Sequence, residues 1–311
     1  MVLQPYYNAV FRSVFILYFR KYFKCMYPYS FINGKIIPFN KAFIQVNDLA
    51  LLRGYGCFEY FCTYKGLPVL IDDYLKRFEN SARELDLPLP YQKNEIVQIV
   101  MNLLKKNNIT EAGIRFILTG GYSEDAFTVS KPNFIILIEP LKIPEKNVYR
   151  KGVKLITLKH QREFSSAKSI NYLTAIRNFH VCKKENAYDV LYYFNNHILE
   201  VTRSNFFIFK ENNLLTPKDD ILHGITRKII IEIASKEFKI EERELPLIEL
   251  NAATEAFLSG TTKKVLPVVM VDKLKIGNGK VGLNSKHLLK LFENYISKRI
   301  QEFQDKYRIS H

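Results

Sequence analysis

Short apolar runs, many of them rich in β-branched and aromatic residues and closed by turn residues, recur along this chain and limit what it can fold into. Phe31–Ile37 reads as two strands around Asn33-Gly34, a dipeptide whose tolerance of positive φ makes it a strong hairpin signal. A second hairpin is expected over Cys57–Ile71, turning at Lys65-Gly66. Further strands are expected at Gly113–Thr119, Asn133–Glu139, Val153–Leu158, Asp189–Phe194, Phe206–Phe209, Glu255–Leu258 and Val265–Val271. Helical spacing marks Asp72–Leu85, with Leu75, Phe78, Ala82 and Leu85 on one face, and also Lys93–Lys106, Asn171–Glu185, Ile225–Lys236 and Ser285–Phe303. Hairpin links favour mixed or antiparallel sheets over a doubly wound parallel one, so the expected class is α/β of the α+β type.

At 311 residues the chain is long enough for two domains. Pro140 and Pro144 punctuate a polar connection, which predicts a small α/β domain over 26–140, a linker at 141–149 and a larger mixed-sheet domain over 150–311. Residues 1–25 carry Arg12, Arg20, Lys21 and Lys24 but no acid, and they are crowded with Tyr and Phe. Their apolar run Val14–Phe19 is too short to span a bilayer and lacks a secretory n-region; it reads as an extension, or as sequence upstream of a start at Met26. The net charge of +15 is spread over predicted helix faces without an Arg-rich tract, which suits a solvated surface that attracts anionic substrates better than a nucleic-acid footprint. Cys25, Cys57, Cys62 and Cys182 lack metal-ligand spacing and point to a reducing cytoplasm, and the six histidines form no zinc pattern, so no metal is expected. Gly277-Asn278-Gly279-Lys280-Val281-Gly282 fits GxGxxG, but no βαβ unit with a following acid surrounds it, so it is a turn.

Five features carry chemistry. Lys168 stands among small residues in Ser165-Ser166-Ala167-Lys168-Ser169, and Glu200 ends the hairpin downstream. A lysine amine that captures an aldehyde, and a carboxylate that keeps a pyridine nitrogen protonated, are what pyridoxal 5'-phosphate requires. Gly224-Ile225-Thr226-Arg227 opens a helix whose free amides suit a phosphate, though an ordinary N-cap reads the same way. Ser259-Gly260-Thr261-Thr262 is a turn dense in hydroxyls and amides. Arg115, inside the apolar run Ile114–Leu118, points to a ligand carboxylate, an internal ion pair or an edge-strand position.

The order of Arg77, Lys168, Glu200, Gly224–Arg227 and Ser259–Thr261 resembles the class IV, fold type IV pyridoxal phosphate enzymes, from about Ile32 to Phe303. That group holds branched-chain aminotransferases, D-amino-acid aminotransferases and aminodeoxychorismate lyases. The resemblance implies that Lys168 is the Schiff-base lysine and proton shuttle, that Glu200 pairs with the pyridine nitrogen, and that Asn205 matches the family's asparagine five residues on. It implies phosphate contacts from Arg77, the Ile225 and Thr226 amides and Thr261. Tyr172 resembles the tyrosine that bonds the cofactor's phenolic oxygen in branched-chain enzymes, although Lys168-Ser169-Ile170-Asn171 has the shorter spacing of D-amino-acid enzymes and lyases. The Arg53 loop resembles one that reaches the neighbouring active site of a homodimer. Arg53, Arg115 and Thr262 are then the expected carboxylate contacts. The familiar Tyr, Arg and His trap of D-amino-acid aminotransferases falls on Phe58, Gly120 and Tyr122 and is absent. The implied activity is transamination of D-amino acids with 2-oxoglutarate or pyruvate, with an L-branched-chain aminotransferase second and a lyase third.

Overall fold

The computed structural model describes residues 27–307, so the expectations for residues 1–25 lie outside the described part. Two sheets organise it. The first, in the order β2-β1-β5-β4-β3, is antiparallel and is built from β1 (Tyr29–Ile32), β2 (Lys35–Pro38), β3 (Gly56–Cys62), β4 (Gly113–Thr119) and β5 (Phe134–Glu139). The β1–β2 hairpin turns at Asn33 and Gly34 with φ of 46° and 91°, the left-handed pair that its sequence requires. Helix α1 (Leu49–Arg53) precedes β3, and α2 (Ile71–Glu84) and α3 (Lys93–Lys106) follow it. In α2 the buried Tyr74, Leu75, Phe78 and Ala82 recur at helical spacing while Asp72 and Asp73 sit in its first turn, so one apolar stripe packs on the sheet beside Phe61, Phe116 and Phe134.

The expected second hairpin at Cys57–Ile71 does not form. Lys65 and Gly66 do make a tight turn, with φ of 50° and 78°, but only Tyr64 and Leu67 bridge across it. Pro68 offers no N–H to extend the ladder, Ile71 already begins α2, and β3 takes β4 as its partner instead. Helix α4 (Lys146–Lys151) begins within the 141–149 connection.

The second sheet is mixed. β6 (Val153–Lys159) runs parallel to both β7 (Asp189–Phe194) and β14 (Lys264–Val271), and α5 (Leu173–Lys184) crosses between β6 and β7. β8 (His197–Val201), β9 (Ser204–Lys210) and β13 (Glu255–Gly260) add antiparallel pairings. The path β9-β13-β14-β6-β7-β8 returns to β9 through Glu200↔Asn205 and Val201↔Ser204, so six strands close on themselves. β10 (Asn213–Thr216), β11 (Lys239–Glu242), β12 (Leu245–Pro246) and β15 (Leu274–Lys275) extend it. Along β9, Phe206 and Ile208 face the closed interior, whereas Phe207 and Phe209 face α6 (Ile225–Ala234) and α7 (Leu283–Tyr307). A strand covered on both faces reads as an unbroken apolar run. Among the described residues no helix is long and apolar enough to cross a membrane.

Candidate active site

The loop that carries Lys168 leaves β6 and is stitched to β3, the edge strand of the first sheet. The Phe58 N–H donates to the Lys168 carbonyl at 2.9 Å, the Ile170 N–H donates to the Gly56 carbonyl at 3.0 Å, and the Lys168 N–H donates to Ser81 Oγ at 3.0 Å. Gly56 permits this approach, because a Cβ there would lie 2.6 Å from the Leu118 carbonyl oxygen and 3.2 Å from Ile170. The Lys168 amine sits 4.6 Å from the centre of the Phe58 ring. Burial, reinforced by the Arg77 charge and opposed by Glu59, pushes its pKa down to about 7.

Lys168 opens onto a cavity of about 800 Å³ lined by residues of both sheets. Glu200 lies on its far wall, where Arg162 Nε donates to Oε1 at 2.7 Å and the Leu222 N–H donates to Oε2 at 3.2 Å. Burial raises the proton affinity of Glu200, and Arg162 opposes that rise. Glu200 and Asn205 are cross-strand partners on the rung that closes the strand ring. Asn205 Nδ2 donates to the Leu222 carbonyl at 2.7 Å, so the two side chains grip one residue's backbone just ahead of α6. The five-residue spacing follows from a two-residue turn between paired strands.

A third wall is built for an anion. α6 begins at Ile225 with Gly224 as its cap and no side chain bonding the end, so the first amides have no intrahelical acceptor. A Cβ on Gly224 would stand 2.2 Å from Asn205 Oδ1, so only glycine lets the helix start this close. Thr226 is buried at the same end, Thr261 Oγ1 shares a 3.0 Å hydrogen bond with the Tyr74 hydroxyl, and Ser259 Oγ is buried without a hydrogen-bond partner among the described residues. Arg77 joins them, with Nε and Nη2 on the Glu59 carboxylate at 2.9 and 2.6 Å. The amine, carboxylate, helix start and orphaned hydroxyl fit an aldehyde-bearing, phosphorylated pyridine.

A family model described as "Amino-transferase class IV" matches residues 56–271. The chain belongs to the class IV aminotransferases. It is 30% identical over 276 residues to the D-alanine aminotransferase of Staphylococcus haemolyticus, covering 86% of this chain and 98% of that one. It is equally 30% identical over 284 residues to a Methanocaldococcus jannaschii protein with the provisional name branched-chain-amino-acid aminotransferase, covering 86% and 96%. Among solved structures, a T.th. branched-chain amino acid aminotransferase with pyridoxamine 5'-phosphate shares the fold at a TM-score of 0.82 and 22% identity, over 90% of this chain and 97% of that one.

Within this class IV aminotransferase the other expected residues fall as follows. Tyr172 caps α5 beside the cavity, edge-on to Phe58 at 5.5 Å, and burial pushes its phenol up to about 12. Arg115 and Thr262 line the cavity. Arg115 lies 5.4 and 4.9 Å from the Phe58 and Tyr60 ring centres, with Nη2 on Glu139 Oε2 at 3.0 Å and Nε on Oε1. Of the readings left open for this arginine, the internal ion pair is present, its strand lies between β3 and β5 and is not an edge, and the residue also lines the cavity. Arg53 is exposed at the end of α1 and lines no part of the cavity in its own chain. Sequence reasoning missed Glu59, Arg162, Arg203 and Lys263. Glu59 is a buried acid in an apolar strand, a signal of the kind that singled out Arg115; nothing in local spacing marks the other three.

Proposed function

We propose that this chain is a pyridoxal phosphate-dependent transaminase that moves an amino group between a D-amino acid and a 2-oxo acid. The observation that carries the reading is Lys168, whose buried amine, near pKa 7, shares one cavity with Glu200 and the open start of α6. When bound, pyridoxal phosphate supplies the aldehyde that condenses with amines and a ring that accepts electrons. Lys168 Nζ serves as its covalent anchor and takes the Cα proton from the amino-acid substrate. Glu200, hydrogen-bonded to Arg162, would hold a proton on the pyridine nitrogen. Arg77, the Ile225 and Thr226 amides and Thr261 would hold the phosphate, Asn205 sets the helix start, and Tyr172 would bond the ring's phenolic oxygen.

Arg115 and Thr262 receive the substrate carboxylate, joined by Arg53 of a second copy in a homodimer. Exposed Phe43, Val46 and Leu51 near Arg53 support such an interface. The cavity then sits at the seam of two domains, 26–140 and 150–311, in a protein working in the cytoplasm, where the free thiols Cys57, Cys62 and Cys182 stay reduced. The D-alanine aminotransferase relatives and the short Lys168–Asn171 spacing support D-amino acids, while the branched-chain relatives support an L-branched-chain enzyme as the second reading. Mixing the yellow, cofactor-loaded protein with D-alanine, D-glutamate or L-leucine tests this. The D-amino acids should bleach the visible band at least about ten-fold faster, a preference of about 1.4 kcal/mol in barrier. A faster response to L-leucine would overturn the D assignment.

A further inference from the structure

Thr202 and Arg203 form the two-residue turn between β8 and β9. Both shoulders of this turn are pinned from beneath. Thr202 Oγ1 donates to Asp189 Oδ1 at 2.6 Å, Lys263 Nζ donates to Ser204 Oγ at 2.7 Å, and Ser204 Oγ donates to the Arg203 carbonyl at 2.6 Å. Lys263 and Asp189 are both buried, with Nζ 3.5 Å from Asp189 Oδ2, an oxygen with no hydrogen bond among the described residues. The Tyr188 ring lies 5.6 Å from Nζ and the Tyr149 hydroxyl donates to the Lys263 carbonyl. Burial, opposed by Asp189 and aided by Arg203, pushes the Lys263 amine down to about 8.

A buried ion pair seldom stabilises a fold more than apolar residues of the same volume would, so the fold alone gives little reason for this one. What it supports is the turn, and the turn carries Arg203 at the cavity. The other three cavity arginines are committed: Arg77 to Glu59, Arg115 to Glu139 and Arg162 to Glu200. Arg203 makes no ion pair among the described residues, is exposed, and lines the cavity. We propose that Lys263 and Asp189 are positioning residues for Arg203, fixing its turn so that the guanidinium meets a carboxylate of the amino-acid or oxo-acid substrate. This rests on the aminotransferase reading and adds a further carboxylate contact to it.

The test is a double-mutant cycle read by calorimetry with glutarate, a carboxylate that cannot be transaminated, on protein saturated with pyridoxal phosphate. Arg203→Met should weaken glutarate about ten-fold, the loss of one charge-assisted contact. Lys263→Met/Asp189→Asn removes both buried charges without stranding either, and should weaken glutarate by about three-fold or more with the visible band unchanged. Adding Arg203→Met to that pair variant should then cost much less than ten-fold, since the two sites act through one contact. An additive cycle would overturn the proposal. So would wild-type affinity in the pair variant accompanied only by a lower melting temperature, which is what a purely structural pair gives. Failure to take up pyridoxal phosphate overturns the aminotransferase reading instead; the glutarate cycle needs no turnover and is then read on the chain alone.

Discussion

If the Lys168 amine titrates near 7 because of burial and the Arg77 charge, removing that charge must raise its proton affinity. At pH 7 a group with a pKa of about 7 is half neutral, against roughly one part in three thousand for a lysine at its ordinary 10.5. Capture of an aldehyde needs the neutral amine, so the rate of capture by cofactor-free protein should inflect near 7. Pyridoxal without its phosphate is the right probe, because loss of a phosphate contact then does not enter. In Arg77→Met a like charge is gone and Glu59 is left uncompensated; both changes favour the ammonium form, and the inflection should move up by about one to two units. In Arg77→Met/Glu59→Gln the two opposing charges leave together, and the inflection should fall back towards its wild-type position. An inflection that stays near 7 in Arg77→Met would refute the role given to Arg77 and leave the depression to burial and Arg162. A wild-type inflection above 10 would refute the depressed amine itself.

Lys168 also predicts a pH-dependent stability. The unfolded chain keeps this proton to about 10.5 while the folded one loses it near 7, so between those values the unfolded state binds more protons and cofactor-free protein should gain stability as pH rises; Lys168→Met, followed by urea titration, should lack that gain. Gly224→Ala places a methyl 2.2 Å from Asn205 Oδ1 and should weaken pyridoxal phosphate about ten-fold or more in equilibrium dialysis, whereas unchanged affinity would show that the helix start yields freely. Arg115→Lys keeps charge but not the fork, so KM for the oxo acid should rise about ten-fold with cofactor uptake intact; an equal loss of uptake would mark a structural arginine. Arg53→Met and Lys168→Met should each be inactive alone, and mixing them through reversible dissociation should restore part of the activity if the Arg53 loop serves the second copy's cavity; no recovery would confine Arg53 to its own chain.

The strands and helices that form on sequence-local signals were the legible ones. Lys93–Lys106 and Gly113–Thr119 have the bounds their periodicity predicts, because one apolar face and one set of turn residues define each. Cys57–Ile71 misled because a good turn dipeptide says nothing about the partner that a strand finally takes, and β4, far along the chain, competes better than an arm containing Pro68. The closure of the second sheet was invisible for a related reason: it depends on the two-residue turn at Thr202-Arg203 bringing Glu200 opposite Asn205, a pairing between partners both already in other ladders. The principal site residues were readable as an ordered set of weak motifs. Their counter-ions were not, since Glu59 and Arg162 act through contacts across strands and loops that no spacing encodes.

Those counter-ions explain how a pocket can hold four arginines and a reactive lysine together. A dianionic phosphate and a substrate carboxylate need oriented donors, but free guanidinium groups crowded around Lys168 would depress its amine further and repel one another. Pairing Arg77 with Glu59, Arg115 with Glu139 and Arg162 with Glu200 offsets that charge; the first two pairs also leave donors to spare, since a guanidinium carries five N–H groups and a bidentate carboxylate uses two, whereas Arg162 spends its Nη groups on the Phe164, Ser165 and Ala167 carbonyls. Arg115 commits Nε and Nη2 to Glu139, which leaves its Nη1 donors for a ligand. Arg77 likewise keeps Nη1 beyond its Glu59 contacts. Glu59 and Glu139 therefore fix the direction of these two forks in advance, so that ligand binding need not freeze a long side chain at the moment of contact. Among the described residues Arg203 has no such carboxylate, and the pinned turn beneath it does the same work through the backbone.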